Sequence, residues 1–316
     1  GQDIGGYPRT LPETSVRYFG RIDAYITDDH RLEATYQKLK ESNVESDFSG
    51  NDNLTGLNSF ENEGTQSDYY SVRLYSQWSD KVSTELRLSR SEVSDVQGPF
   101  GFGEAQSDNP TVRLVVGNVG PGGDTGIFST GPGIFRSANA LESTINQAKF
   151  QMNIDAGAHQ LKIGAEINDL EIYNLFAINA TGSLYFQDLD DFENGVLTTG
   201  FSFFPDADDI TAGNSYAADI NATPSGDINE AAATFGRTIY SFYVQDDWQA
   251  TDQLSITAGL RTQLYAGDAP RPNDLFFQRF GFTNANSFGS IDPVLLPRLS
   301  ATYEFDNSGF LSNSRL

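Results

Sequence analysis

The chain has no cysteine among its 316 residues, which excludes disulfides and thiolate metal sites. It has two histidines, His30 and His159, too few for a histidine-rich metal centre and a poor basis for histidine-driven catalysis. Basic residues are scarce: 20 Lys and Arg stand against 43 Asp and Glu. The net charge of −23 argues against a nucleic acid as partner. Long hydrophobic runs are missing too. The mean hydropathy is −0.40, and no stretch approaches the ~18–20 apolar residues of a membrane-spanning helix. That absence excludes helical spans only, because a transmembrane barrel presents about one apolar residue in two along short segments. The single methionine is Met152, and the chain opens Gly1-Gln2 with no signal peptide. The expectation is a mature chain or a piece of one.

What the chain does have is aromatic residues, 14 Tyr and 23 Phe, and long runs of strict alternation. In residues 238–249, Tyr240, Phe242, Val244 and Trp248 share one parity, and Ser241, Tyr243, Gln245 and Asp247 the other. After a short polar break, Leu254, Ile256, Ala258, Leu260 and Leu264 oppose Ser255, Thr257, Gly259, Arg261 and Gln263. Period-two alternation marks a strand with one apolar and one polar face. Each run suits a membrane-spanning strand of ~9–11 residues better than a soluble strand of ~5–6.

The same pattern recurs along the chain. It predicts strands over 16–27 and 32–37, a second hairpin around the turn Ser79-Asp80-Lys81, and a third around residues 155–159. One further strand carries Leu299, Ala301, Tyr303 and Phe305, and residues 306–309 then turn into the start of another. Between hairpins the pattern dissolves into Ser, Asn, Asp, Gly and Pro over 41–66, 92–141 and 168–236. These read as long loops, with short strands at 111–116, 172–178 and 183–187. Connections thus alternate short and long, as in outer-membrane barrels with short periplasmic turns and long extracellular loops. Trp78 and Trp248 each end a strand beside a short turn, where an aromatic girdle belongs. The expected fold is all-β: an antiparallel transmembrane β-barrel or part of one. The alternative is a secreted or surface-exposed β-rich binding or structural protein.

The polar parity carries Arg21, Asp23, Arg73, Glu85, Arg87, Lys162, Glu166, Arg261, Arg298 and Glu304. Buried charge is costly unless paired or hydrated, so this face predicts a wet or polar-plugged lumen. An acidic stretch at Asp188, Asp190, Asp191 and Glu193 is a candidate calcium site, since close hard oxygen ligands suit that ion. A solvated loop is the plainer reading. Asp206, Asp208 and Asp209 form a weaker candidate. The run Gly117 to Asp124 has no GK[ST] ending and is not a phosphate loop. Asn53, Asn179 and Asn221 begin Asn-x-Thr sequons, a pattern that arises readily by chance. Loop aromatics, among them Phe100, Phe102, Phe128, Phe135, Tyr185, Phe186, Phe203, Phe204, Phe276 and Phe277, are expected to pack loops together rather than grip a ligand. No constellation supports an enzyme, and no other cofactor is expected.

Tyr243-Val244-Gln245-Asp246-Asp247-Trp248, followed by Leu254-Ser255-Ile256-Thr257-Ala258-Gly259-Leu260-Arg261, resembles the barrel signature of TonB-dependent outer-membrane receptors. Arg271-Pro272-Asn273, Arg279-Phe280-Gly281-Phe282, Leu296-Pro297-Arg298-Leu299 and His159-Gln160-Leu161-Lys162-Ile163-Gly164-Ala165-Glu166 are similar to the Oar-like branch. The resemblance implies a Gram-negative outer membrane and a barrel of about 22 strands around a plug. It also implies import of a scarce nutrient with energy from TonB. No plug domain or TonB box is visible before Arg17, about nine strands are visible, and no final strand ends in an aromatic residue. Residues 1–316 are therefore expected to be a partial receptor barrel whose partners are outer-membrane lipid, a plug, TonB and a nutrient.

Overall fold

The computed structural model describes residues 10–46, 53–120, 126–197, 218–268, 272–283 and 291–305. In chain order the strands are β1 (Glu13–Thr27), β2 (His30–Glu45), β3 (Asn53–Thr55), β4 (Glu61–Ser79), β5 (Val82–Pro99), β6 (Arg113–Val116) and β7 (Ile127–Thr130). They continue with β8 (Asn139–Ala156), β9 (His159–Phe176), β10 (Ser183–Phe186), β11 (Ala218–Asp219), β12 (Ala233–Gln249), β13 (Leu254–Gly267) and β14 (Ile291–Tyr303). Two short helices, α1 (Leu189–Asn194) and α2 (Asp274–Phe280), lie in connections.

Nine strands form one sheet in the order β1-β2-β4-β5-β8-β9-β12-β13-β14. Every neighbour is antiparallel, a plain meander. Its short turns are Asp28-Asp29, Asp80-Lys81 and Gly157-Ala158, two residues each, and residues 250–253. All fall at one end of the sheet. The strands run on past the stretch where alternation is visible. Residues 41–45 and 61–66 pair with each other as strand (Glu41 opposite Thr65, Glu45 opposite Glu61) where the sequence reads as loop.

Pairing lines up one apolar face across the wall. Leu32, Leu74, Leu86, Phe150, Ala165, Phe242 and Thr262 stand opposite one another in turn. So do Ala34, Val72, Leu88, Ala148, Ile167, Tyr240 and Leu264. Val72, Leu88, Ile167, Phe242, Val244 and Leu260 are exposed on this face. Such a continuous apolar surface on a protein means a membrane or a partner. Aromatic residues bound it at both ends. Trp78 lies eight residues from Tyr70, and Trp248 eight from Tyr240. That is about 27 Å along a strand, or about 20 Å at a tilt of about 40°, near the ~25 Å apolar band of a transmembrane barrel. The wall crosses a membrane with this face to lipid.

The long connections do not hang free. β3, β6, β7, β10 and β11 come from three different connections and form a second sheet, in the order β11-β10-β6-β7-β3. Two of its pairings are parallel, β6 with β10 and β3 with β7. This small sheet holds the apolar core Val115, Ile127 and Tyr185. A second cluster, Ala138, Leu175, Ala180 and Ile228, seals its junction with the tips of β8 and β9. Side-chain hydroxyls bind the loops: Ser59 Oγ donates to the Gly131 carbonyl at 2.6 Å, and Thr130 Oγ1 to Asn58 Oδ1 at 2.7 Å. Gly131 has φ +95°, and a Cβ there would meet the Val112 carbonyl, so only glycine fits.

Candidate functional site

The face opposite the lipid-facing one carries the chemistry. One line of directly paired residues runs Asp23, Glu33, Arg73, Arg87, Lys149 and Glu166 across six neighbouring strands. Alternation puts each on the same face as the others and opposite the lipid-facing residues beside it. Ion pairs knit much of this line. Arg21 reaches Asp23 at 2.6 Å and Glu33 at 3.1 Å, Arg31 reaches Asp23 at 3.2 Å, and Arg261 reaches Glu166 at 2.6 Å. Glu33 is the buried hinge of the group, with Arg73 at 3.6 Å on its other side. Aromatic rings lie flat among these charges. The Arg31 guanidinium sits 4.5 Å over Tyr75, and Arg261 5.5 Å over Tyr243. The Tyr243 hydroxyl donates to Gln151 at 3.0 Å. Tyr243 lies across Gly164, where a Cβ would collide with its ring and with the Phe150 carbonyl. The glycine is what lets the tyrosine lie against the wall.

Towards the long-loop end the two faces exchange character. Leu39, Val93, Ile145, Leu170, Ile172, Phe235 and Ile239 have the parity of the charged line, not of the lipid face, and they are half-buried. On the lipid-side parity at that height stand Lys38 with Asp68 at 3.3 Å, Arg90 with Glu92 at 2.6 Å, and Asp169 accepting from Thr238 at 2.6 Å. Tyr36 stacks on Tyr70 with ring centres 5.1 Å apart at the boundary. The inner surface is thus charged at membrane depth and apolar towards the long-loop end. A polar molecule in the lower part meets fixed charges, and an apolar group in the upper part meets aliphatic and aromatic surface.

The acidic stretch 188–195 is a helix rather than a loop. Asp188 is its N-cap, accepting from the Asp191 amide at 2.9 Å. Asp190 and Asp191 lie in the first turn of α1, Glu193 falls near its end, and Gly195 closes it at φ +68°. Among the described residues no three carboxylates or imidazoles converge as a metal-ligand set. Both histidines are the first residues after a tight turn, and both contact a tryptophan, which the sequence reading missed. His30 meets Trp78 edge-on at 5.1 Å; His159 stacks on Trp248 at 5.5 Å and pairs through Nδ1 with Asp246 at 2.7 Å. Tyr185 and Phe186 are buried in the loop sheet, and Phe276 packs on Phe280 and Phe282. Phe102 and Phe277 are exposed. Asn179 is buried, with Ser183 donating to its side chain at 2.7 Å, so that sequon cannot carry a glycan in the folded state. Asp206, Asp208, Asp209, Phe203, Phe204, Arg271 and residues 121–124 and 306–309 lie outside the described residues.

Residues 6–306 match the family described as outer membrane beta barrel domain. No curated protein matches the chain. Among solved structures, the outer membrane transporter YddB from Escherichia coli is similar at 13% identity and a TM-score of 0.54, over 92% of this chain and 30% of that one. FpvA of P. aeruginosa bound to heterologous pyoverdines is similar at 12% identity and a TM-score of 0.51, over 93% and 34%. The FpvAI–pyocin S2 complex is similar at 10% identity and a TM-score of 0.55, over 93% and 33%. These likenesses concern the fold, and the chain spans about a third of the length of each of these structures.

Proposed function

The chain belongs to the outer membrane beta barrel domain family, and from that premise we propose that it forms part of the wall of a TonB-dependent receptor importing a scarce nutrient. Its place is the outer membrane, and a soluble β-rich protein is not favoured, because the exposed face from Leu32 to Leu264 suits lipid. The observation that carries the transport reading is the line from Asp23 to Glu166 at membrane depth. Charges so spaced need water or polar protein beside them. A narrow barrel fills with its own side chains, whereas a wide one holds a channel or a plug. A plug and TonB enter as partners in this reading through the parts of a longer receptor. Two edges of the nine-stranded sheet each have one neighbour among the described residues, and lipid does not tolerate an open edge. Further strands would close it. The resemblance of Arg279-Phe280-Gly281-Phe282 and Leu296-Pro297-Arg298-Leu299 to the Oar-like branch supports that finer reading.

The experiment uses the absence of cysteine from these 316 residues, with any cysteine in the rest of the receptor replaced. In the intact receptor in vesicles, Arg87→Cys should react with a water-soluble maleimide once the lumen is opened by a plug deletion, and Leu260→Cys only with a lipophilic one. The reverse pattern would overturn the lumen assignment. Uptake by cells carrying the receptor should collapse when TonB is removed; uptake unchanged without TonB would reject the energised mechanism.

A further inference from the structure

We propose that the lumen wall carries an oxyanion site centred on Arg87 and flanked by Arg73 and Lys149, taking a carboxylate or phosphate group. The three cations stand directly opposite one another on β4, β5 and β8. Like charges directly opposite across strands repel, and the chain as a whole has twice as many acids as bases, 43 to 20. A row of three cations in such a chain is therefore a local exception that needs a counter-charge. The neighbouring carboxylates do not supply it. Glu33 is shared between Arg21 and Arg73, and Glu166 is engaged by Arg261 at 2.6 Å. Glu85 reaches Lys149 only at 3.9 Å. Arg87 has no ion pair among the described residues, and its Nε is buried without a partner. A guanidinium offers its donors in a planar fork that matches the two oxygens of a carboxylate or phosphate. The flanking Arg73 and Lys149 add charge on either side at strand spacing, about 5 Å. An oxyanion over Arg87 turns three repelling cations into one cradle.

This site follows from the wall's geometry and is independent of how transport is driven. The group can arrive on a small molecule in the lumen or as a carboxylate of a further segment of the same receptor. Thermal unfolding of the intact receptor in detergent separates the two. The midpoint is measured with tripolyphosphate and with sodium chloride at equal ionic strength, for the natural protein, Arg87→Gln and the lipid-side control Arg90→Gln. With the site open to small molecules, tripolyphosphate raises the midpoint by roughly 3 °C or more; Arg87→Gln abolishes the rise and Arg90→Gln keeps it. With the site filled by the receptor's own carboxylate, tripolyphosphate has no effect, and Arg87→Gln lowers the midpoint where Arg90→Gln does not. An empty site behaves oppositely: removing Arg87 relieves repulsion, so its midpoint holds or rises with no response to tripolyphosphate. That result, or a tripolyphosphate response equal in Arg87→Gln and the natural protein, overturns the proposal.

Discussion

The wall and the loop sheet above it are both built of β-strands, yet they are held together by opposite means. In the wall at membrane depth, the large apolar side chains point away from the protein, and Val72, Leu88, Phe242 and Leu260 are exposed. Their stabilisation comes from lipid and from a long unbroken hydrogen-bonded ladder. In the loop sheet, strands of two to four residues enclose Val115, Ile127 and Tyr185, and Tyr185 is only 1% exposed. There water lies outside, and the hydrophobic effect drives apolar groups inward. The change of rule occurs within single strands. In β9, Leu161, Ile163 and Ile167 face lipid, whereas Leu170 and Ile172 face in. The two regions differ in strand length and pairing, and it is the surrounding solvent that sets which way their apolar side chains turn.

The sharpest break of this comparison is to hollow out the loop sheet alone. Tyr185→Ala should cost that sheet ~3–5 kcal/mol and expose it to proteolysis, while insertion into vesicles stays normal. If insertion failed too, the two regions would be one cooperative unit. Next comes the lipid face. Val244→Arg, in the middle of the band between Trp248 and Tyr240, should cost ~2–4 kcal/mol in a lipid folding titration. A neutral outcome would put that face in water. A smaller effect, ~1–3 kcal/mol from overpacking, is expected for Gly164→Ala, where the new methyl meets the Tyr243 ring. Pairing it with Tyr243→Ala should recover part of the loss in a double-mutant cycle. The smallest effect is expected at Ile256. It stands opposite Trp248 at the short-turn end, so Ile256→Arg should cost only ~0–1 kcal/mol. A loss as large as that of Val244→Arg would move the membrane boundary below the tryptophans.

The membrane-depth part of the wall was legible because lipid on one side and water or protein on the other writes a two-residue period into the sequence. Tyr240, Phe242 and Val244 against Ser241, Tyr243 and Gln245 is such a record. Above the band that record blurs. Residues 61–66 and 92–99 are strand, but polar side chains on both parities hid them. The slip of parity from Ile167 to Leu170 was in plain view as a three-residue step, and it signals a change of solvent. The loop sheet was partly visible: the strands near 111–116 and 183–187 were expected, β3, β7 and β11 were not, and the expected strand near 172–178 is the end of β9. The pairing of three connections into one sheet is non-local and leaves no periodic trace. At the acidic stretch, Asp188 three residues before Asp191, with Gly195 closing, is a helix start and stop signal. The His–Trp contacts join positions as far apart as His159 and Trp248 and could be found only by register.

The slip of parity has a consequence for how the protein sits. At the level of Tyr70 the lipid-side residue on the next strand is Arg90, and one pair above Tyr70 and Tyr240 stand Asp68, Glu92 and Asp169. Sinking the wall by one pair of residues, about 7 Å along the strand, would drag all four into hydrocarbon. Raising it by the same step would lift Trp78 and Trp248 off the opposite interface. The wall therefore carries its own waterline: the charged residues above and the tryptophans below hold it at one depth in the bilayer.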